Sequence, residues 1–148
     1  MKKFTTNSAK QTRELGKKIA GQILDTVGEK TAIVLGLRGN LGGGKTTFLQ
    51  GFAEGLGVKE KILSPTFNIL KRFEVPGFRF NNFYHIDCYR LKNEKDILEL
   101  GFKEMVSDPR NIVAIEWPEK IKKVLPKNAI LMEFFFIDKN KRKIDFVR

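Results

Sequence analysis

Residues 39–46 are the part of the sequence best suited to bind phosphate. They read G-N-L-G-G-G-K-T and match the phosphate-loop pattern G-x-x-x-x-G-K-[ST] at every fixed position. Glycines allow successive backbone N–H groups to converge on phosphate oxygens, and the helix predicted next adds its own unpaired N–H groups. The segment therefore predicts a site for a nucleoside triphosphate. The predicted contacts are Gly39, Asn40, Leu41, Gly42, Gly43, Gly44, Lys45, Thr46 and Thr47.

Two residues at the end of this phosphate loop carry its predicted chemistry. The Lys45 ammonium, to which we assign a catalytic role, would reach the β- and γ-phosphates, and the Thr46 hydroxyl would ligate magnesium. Thr47 is better suited to support the loop. A chance glycine-rich turn is the competing interpretation, but the fixed letters, a buried strand before the loop and a helix after it favour nucleotide binding. They do not say what the nucleotide is used for.

A second magnesium ligand is expected from an acid at the end of a strand. Glu116 closes the apolar run at 112–115, and Asp87 closes the more mixed run at 83–86. We favour Glu116 as the metal-side carboxylate, directly or through water, with Asp87 orienting a water or holding the outer shell of the metal. An exposed acid at a strand end is the alternative interpretation for each.

Three further residues are candidates because of their position or rarity. Thr66 follows the predicted phosphate-loop helix, where a hydroxyl could sense the γ-phosphate or could simply begin a strand. His85 is the single histidine, and a lone histidine in a strand is more often structural than a base. Trp117, the single tryptophan, follows Glu116 and would either cover the site or fill the core.

Helical periodicity and short apolar runs predict the elements that position these residues. They indicate an α/β sheet with helices on its faces and leave the strand order open. The predicted elements are a helix at 8–27 with a Ser8/Gln11 capping box and Gly28 at its C-terminal end, a strand at 31–37, a helix at 45–56, strands at 67–73 and 78–86 around a turn at 75–77, one or two helices at 94–106 interrupted near Gly101, a strand at 111–116, and a terminal β-hairpin of strands 129–137 and 142–147.

The composition predicts a soluble, single-domain protein of 148 residues, with 41% hydrophobic and 30% charged residues. No run approaches the roughly 18 apolar residues of a membrane span, and the first seven residues lack the apolar region of a secretory signal. Cys88 is the single cysteine, so no internal disulfide can form, which agrees with a cytoplasmic location. A formal net charge of +11 permits tRNA contact through a basic surface, or reflects solvated lysines alone.

Several segments, taken in order, resemble one family. Beside the phosphate loop they are S-P-T-F at 64–67, Y-H-I-D-C-Y-R-L at 84–91, L-E-L-G at 98–101 and E-W-P-E at 116–119. Together they resemble TsaE, the bacterial ATPase needed for threonylcarbamoyladenosine (t6A) modification of tRNA. The phosphate loop alone is common to many families, whereas this combination is specific, and the resemblance covers about residues 4–137.

The resemblance implies an α/β P-loop NTPase-like sheet with flanking helices, ATP and Mg²⁺ as cofactors, and weak ATP hydrolysis activated by homologues of TsaB and TsaD. By position, Thr46 and Glu116 would be magnesium ligands and Asp87 a catalytic acid near the γ-phosphate. Trp117 would belong to the same cluster, and Ser8, in the segment at 6–8, would lie near the nucleotide base. Departures from the family pattern at Cys88 and Gly43 are mild.

Two other functions fit the phosphate loop. A small-molecule kinase would use the same loop, although the chain lacks a clear arginine-rich lid to shield phosphoryl transfer from water. A nucleotide-gated binding module would use ATP to hold an assembly together without turnover. The choice of ATP over GTP rests on the resemblance, because no N-K-x-D segment that would read guanine is visible.

Overall fold

The structure is a computed structural model that describes residues 2–40, 43–63 and 69–147. It has seven strands, four α-helices and one 3-10 helix within those residues. In chain order they are β1 (Lys3–Thr6), α1 (Ala9–Leu24), β2 (Ile33–Arg38), α2 (Lys45–Leu56), β3 (Leu70–Glu74), β4 (Asn82–Asp87), α3 (Glu94–Leu98), α4 (Phe102–Ser107), β5 (Asn111–Glu116), a 3-10 helix (Pro118–Ile121), β6 (Ile130–Phe136) and β7 (Arg142–Phe146).

The strands form one mixed sheet in the order β1-β7-β6-β2-β5-β4-β3. The four central strands, β6, β2, β5 and β4, are mutually parallel, whereas β1, β7 and β3 pair antiparallel at the two sides. The carboxyl ends of β2, β4 and β5 therefore meet at one edge of the sheet. In α/β folds this edge is where ligands bind.

The sheet is packed on both faces. One apolar cluster joins α1 and α2 to alternate residues of the strands, including Leu35, Phe83 and Ile112. A second cluster joins α3, α4 and the 3-10 helix to the other face, including Val34 and Val113. Central strands that are covered on both faces must be apolar on both faces, which explains the continuous apolar runs in β2 and β5.

Most of the elements predicted from the sequence are confirmed. The α/β sheet with flanking helices and the terminal hairpin of β6 and β7 are present, and the helices α3 and α4 are separated at Gly101, which has φ +85°. Ser8 caps α1 by accepting a hydrogen bond from the Gln11 backbone N–H at 3.1 Å. The Gln11 side chain accepts from the N–H of Asn7 rather than from that of Ser8, so the second hydrogen bond of the predicted capping box is made one residue earlier in the chain.

Two predicted boundaries were wrong by several residues, and one strand was not predicted. The first helix ends at Leu24 with Asp25 as its C-cap, so Gly28 does not terminate it and Val27 is 84% exposed. The residues at 78–81 belong to a loop rather than a strand, because Asn81 turns to donate to the carbonyl of Arg110. Strand β1 was missed, because its four residues are mostly polar and it pairs with β7, which is distant in the sequence.

Helices α1 and α2 approach each other closely through glycines. A Cβ added at Gly51 would lie 1.8 Å from the carbonyl oxygen of Arg13, and one added at Gly16 would lie 2.2 Å from that of Phe48. No real Cβ tolerates such contacts with backbone, so the helices would have to move apart. The glycines are thus needed for packing rather than for backbone conformation.

We expect Gly51→Ala to lower the free energy of unfolding by about 2–3 kcal/mol, because overpacking outweighs the better helix propensity of alanine. Gly21→Ala is the matched control in α1, since an added Cβ meets nothing within 4 Å there. It should stabilise the protein by about 0.5–1 kcal/mol. Urea denaturation of both variants measures this difference. Equal effects would show that the two helices do not pack as described.

No helix among the described residues combines the length and apolar character needed to cross a bilayer.

Candidate nucleotide-binding site

The phosphate loop connects the carboxyl end of β2 to the first residue of α2. Gly39 has φ +132°, and a Cβ there would lie 2.4 Å from the carbonyl oxygen of Phe134 in β6. Gly44 has φ +98° and forms the N-cap of α2. Both positions need glycine, the first for its backbone angle and close packing, and the second for its backbone angle.

The N-terminus of α2 is suited to bind an anion. Its N-cap provides no side-chain hydrogen bond, and its first turn contains no acidic residue. The N–H groups of that turn and the helix dipole together form a region of partial positive charge. In the part of the chain that the structure describes, the hydroxyls of Thr46 and Thr47 have no hydrogen-bond partner.

Lys45 is a buried cation, with 5% of its surface exposed. Its Nζ donates to the carbonyl oxygen of Gly39 at 2.6 Å and lies 4.6 Å from the centroid of the Trp117 ring. Burial lowers the pKa of Lys45, and the negative charges of Glu116 and Asp87 partly offset that effect. An ammonium group has three N–H donors, so a buried one with a single carbonyl partner is suited to bind further oxygen atoms.

Two carboxylates lie at the same edge of the sheet as this lysine. Glu116 ends β5 and is paired in register with Leu37 of β2 on one side and with Asp87 of β4 on the other. Glu116 is 6% exposed, whereas Asp87 is half-buried. The parallel register of the central strands therefore brings two acids next to the phosphate loop.

The two carboxylates have different partners. Oε2 of Glu116 lies 2.7 Å from Nε2 of His85, and both side chains are buried. Burial raises the pKa of Asp87, although its carboxylate accepts a hydrogen bond from the Tyr89 backbone N–H at 3.0 Å, and this bond lowers the pKa. His85 therefore fixes the orientation of Glu116, while Asp87 stays accessible on its solvent side.

Trp117 has a strained backbone. Its φ of +58° is the only positive φ of a non-glycine residue in the described ranges. Its ring contacts Lys45 and Tyr89, with 5.2 Å between the centroids of Trp117 and Tyr89. Left-handed backbone at a bulky residue costs about 1–3 kcal/mol, and such strain is concentrated at functional sites.

These residues fit a nucleotide with magnesium. The loop offers N–H donors and one buried ammonium for phosphate oxygens, and the Thr46 hydroxyl and the two carboxylates are the oxygen ligands that magnesium prefers. The described residues contain no cluster of three or more His, Cys, Asp or Glu side chains able to hold a metal. Magnesium that takes one or two protein ligands and completes its shell with phosphate and water agrees with such a donor set.

Comparison with known proteins places the fold and the sequence in one group. The model of the family described as "Threonylcarbamoyl adenosine biosynthesis protein TsaE" matches residues 6–144. The chain belongs to the TsaE family. A tRNA threonylcarbamoyladenosine biosynthesis protein TsaE from Rickettsia typhi is 39% identical over 139 residues, which span 93% of this chain and 89% of that protein.

Two further comparisons involve Bacillus subtilis. The TsaE protein of that organism is 33% identical over 144 residues, which span 97% of this chain and 84% of the relative. The crystal structure of Bacillus subtilis YdiB, a P-loop fold, superposes with a TM-score of 0.69 and 27% identity, covering 98% of this chain and 83% of YdiB. The α/β P-loop fold expected from the sequence is thereby confirmed.

The structure of this TsaE-family chain brings together most of the residues that were predicted for the site. Leu41, Gly42 and Thr66 lie outside the described residues. Asn40 is exposed, and its carbonyl accepts from the Gly43 N–H at 3.2 Å. The residues found at the loop and at the neighbouring strand ends are Gly39, Gly43, Gly44, Lys45, Thr46, Thr47, Asp87, Glu116 and Trp117.

Ser8 lies at the N-terminus of α1. Its side chain caps α1, and nothing in the structure tests its predicted nearness to the nucleotide base. The start of α1 does approach the loop, because a Cβ added at Gly44 would lie 3.6 Å from Cγ2 of Thr12. Thr12 is in turn linked to Thr6 by a 2.6 Å hydrogen bond between their hydroxyls.

Two contacts beside the site were not predicted. The sequence favours a structural role for His85 over that of a base, but its contact with Glu116 was not predicted; the signal for it was its place two residues before Asp87 on the same face of a strand. The approach of Arg142 to the loop was not predicted either; its Cγ would lie 3.4 Å from a Cβ at Gly44. No local signal in the sequence places Arg142 there, because β7 reaches the loop only through the sheet.

Proposed function

We propose that this TsaE-family protein is a cytoplasmic, magnesium-dependent ATPase that is weak alone and is activated by homologues of TsaB and TsaD during t6A modification of tRNA. The membership in the family supports the link to t6A biosynthesis.

The observation that carries the proposal is the position of Lys45. The Lys45 ammonium is buried between a loop carbonyl and the face of Trp117, at the start of a helix whose N-cap supplies no side-chain hydrogen bond. Neither of these contacts neutralises its charge. Its charge has a use when the phosphates of a nucleotide lie in the loop. The Lys45 ammonium would then exchange the carbonyl of Gly39 for phosphate oxygens.

The neighbouring residues have separate proposed roles. Thr46 and Glu116 would hold magnesium, which when bound neutralises charge that develops on the phosphate oxygens. Asp87 would hold or orient the attacking water, since it is half-buried at the end of the adjacent strand. Trp117 would cover the Lys45 side of the phosphates and restrict the entry of bulk water.

The direct test is ATP hydrolysis by the purified protein, measured with magnesium, with and without the TsaB–TsaD complex of the same organism. We expect slow phosphate release alone and a rise of at least about tenfold with the complex, because a bound partner can add groups that stabilise the charge developing in the transition state. Omission of magnesium, or its replacement by excess chelator, should return the rate to background.

Other results would indicate different functions. Phosphorylation of a metabolite far faster than hydrolysis would identify a small-molecule kinase. ATP-dependent assembly with TsaB and TsaD, in which hydrolysis-deficient variants still support t6A formation, would identify a nucleotide-gated binding module. The absence of any rise with a complex that is itself competent would contradict the proposal.

A further inference from the structure

The tip of the β6–β7 hairpin, residues 135–143, exposes apolar side chains that the core does not use. Phe134 is the last buried residue of β6, whereas Phe135, Phe136 and Ile137 are 39%, 58% and 49% exposed. Single exposed apolar residues are common on protein surfaces, but three in succession at the end of a strand indicate a binding surface.

Each exposed phenylalanine of the hairpin tip lies beside a cation of the opposite strand. Nζ of Lys143 lies 5.3 Å from the Phe135 ring, and Cζ of Arg142 lies 4.6 Å from the Phe136 ring. These are the cross-strand pairs of the hairpin, and because successive side chains alternate, the two pairs face opposite sides. The tip thus presents an aromatic ring with an adjacent positive charge on both faces.

The charge of the hairpin tip is strongly positive. Within 135–143 there are four cations, Lys139, Lys141, Arg142 and Lys143, and one acid, Asp138. The carboxylate of that acid accepts hydrogen bonds from the N–H groups of Asn140 and Lys141, at 2.9 and 2.8 Å. The acid is therefore used to shape the turn.

The shape of the hairpin tip is fixed before any ligand arrives. The Ile137 N–H donates to the Lys141 carbonyl at 3.1 Å, and the Arg142 guanidinium donates to the carbonyls of Asp138 and Lys141. A surface that is already ordered loses little conformational entropy on binding. An ordered turn that carries exposed aromatic rings beside cations is therefore suited to bind a ligand.

We propose that the hairpin tip binds single-stranded RNA. Unpaired bases would stack on Phe135 and Phe136, and the lysines of the tip would contact the phosphates, which is how proteins hold single strands without reading a fixed sequence. Duplex RNA would not suit the rings, because its bases are already stacked. The choice of RNA rests on the proposed function, in which tRNA is the molecule that the pathway modifies.

The test is fluorescence anisotropy of the full chain with a fluorescein-labelled RNA stem-loop, and with a fully paired duplex, in the absence of ATP and partners. We expect the stem-loop to bind more tightly than the duplex. The double variant Phe135→Ser/Phe136→Ser should weaken stem-loop binding about tenfold or more. Lys139→Gln/Lys141→Gln should reduce the slope of log affinity against log salt by about 0.7 for each lysine removed.

Matched controls exist elsewhere on the chain. Phe78→Ser removes a fully exposed phenylalanine on the β3–β4 connection, and Lys122→Gln/Lys123→Gln removes the same charge from another exposed surface. These controls should leave stem-loop affinity within about twofold of the wild type, apart from the salt effect of the lost charge. Equal weakening by the tip variants and the controls would overturn the proposal.

Three other results would also overturn it. One is no binding of the stem-loop by the wild-type protein. Another is unchanged RNA affinity in tip variants that lose their response to TsaB–TsaD, which would make the tip a protein interface. A third is a loss of ADP affinity in tip variants whose RNA affinity is unchanged, which would make the tip part of the nucleotide site. Intact partner-stimulated hydrolysis with failed RNA binding would refute this inference alone and leave the proposed function standing.

Discussion

Lys45→Met should weaken ATP binding at least about a hundredfold and reduce hydrolysis to background. The side chain of methionine keeps the length and the contact with Trp117 but removes the ammonium. A charged hydrogen-bonding group in a buried position is worth about 3 kcal/mol to its phosphate partner, which corresponds to this factor. The loss should appear both in calorimetric affinity for ATP and in the initial rate of phosphate release.

The fold should survive this substitution. Lys45 is buried with one carbonyl partner, and burial lowers its pKa, so removal of its charge also removes a cost of desolvation. We expect a melting temperature equal to or above that of the wild type. Trp117, the single tryptophan, provides a fluorescence signal for the local structure and for titration with nucleotide.

A suitable control is Lys18→Met, which removes an exposed charge from α1. Its affinity for ATP should stay close to that of the wild type. If Lys45→Met bound ATP as tightly as the wild type with an intact fold, the phosphates would have to lie elsewhere. The nucleotide site would then not be the loop at residues 39–46.

The parts of the fold that follow local rules could be predicted from the sequence. The phosphate loop is specified by its own glycines, and the buried strands β2 and β5 are specified by continuous apolar runs. The positions of Lys45 and Glu116 at the ends of these elements followed directly. Helix α1 was recognised by its four-residue spacing, but its end was misplaced because Val27 continued that spacing beyond the core.

The relations between elements could not be predicted, because they depend on register between distant strands. The contact of His85 with Glu116 exists only because β4 lies beside β5 with Asp87 opposite Glu116. The left-handed backbone of Trp117 has no signal in the sequence, since tryptophan does not favour it. The nearness of Arg142 to Gly44 likewise needs the complete sheet.

Glu116→Gln should lower the rate of hydrolysis by about a hundredfold or more, because a neutral glutamine amide binds magnesium more weakly than a carboxylate does. The affinity for ATP should change less than tenfold, since the loop amides and Lys45 remain. Single-turnover phosphate release, measured across a range of magnesium concentrations, separates the two effects. An unchanged rate would move the metal role to Asp87, and Asp87→Asn should then show the large loss.

His85→Gln tests whether the histidine acts through Glu116. It removes the imidazole that lies 2.7 Å from the carboxylate but leaves every proposed ligand in place. Partners that orient a metal ligand typically contribute about 10–100-fold to metal affinity, so the magnesium concentration for half-maximal hydrolysis should rise by about tenfold. The rate at saturating magnesium should recover to near the wild-type value. If the rate instead stayed low at every magnesium concentration, His85 would take part in the reaction itself rather than position the carboxylate.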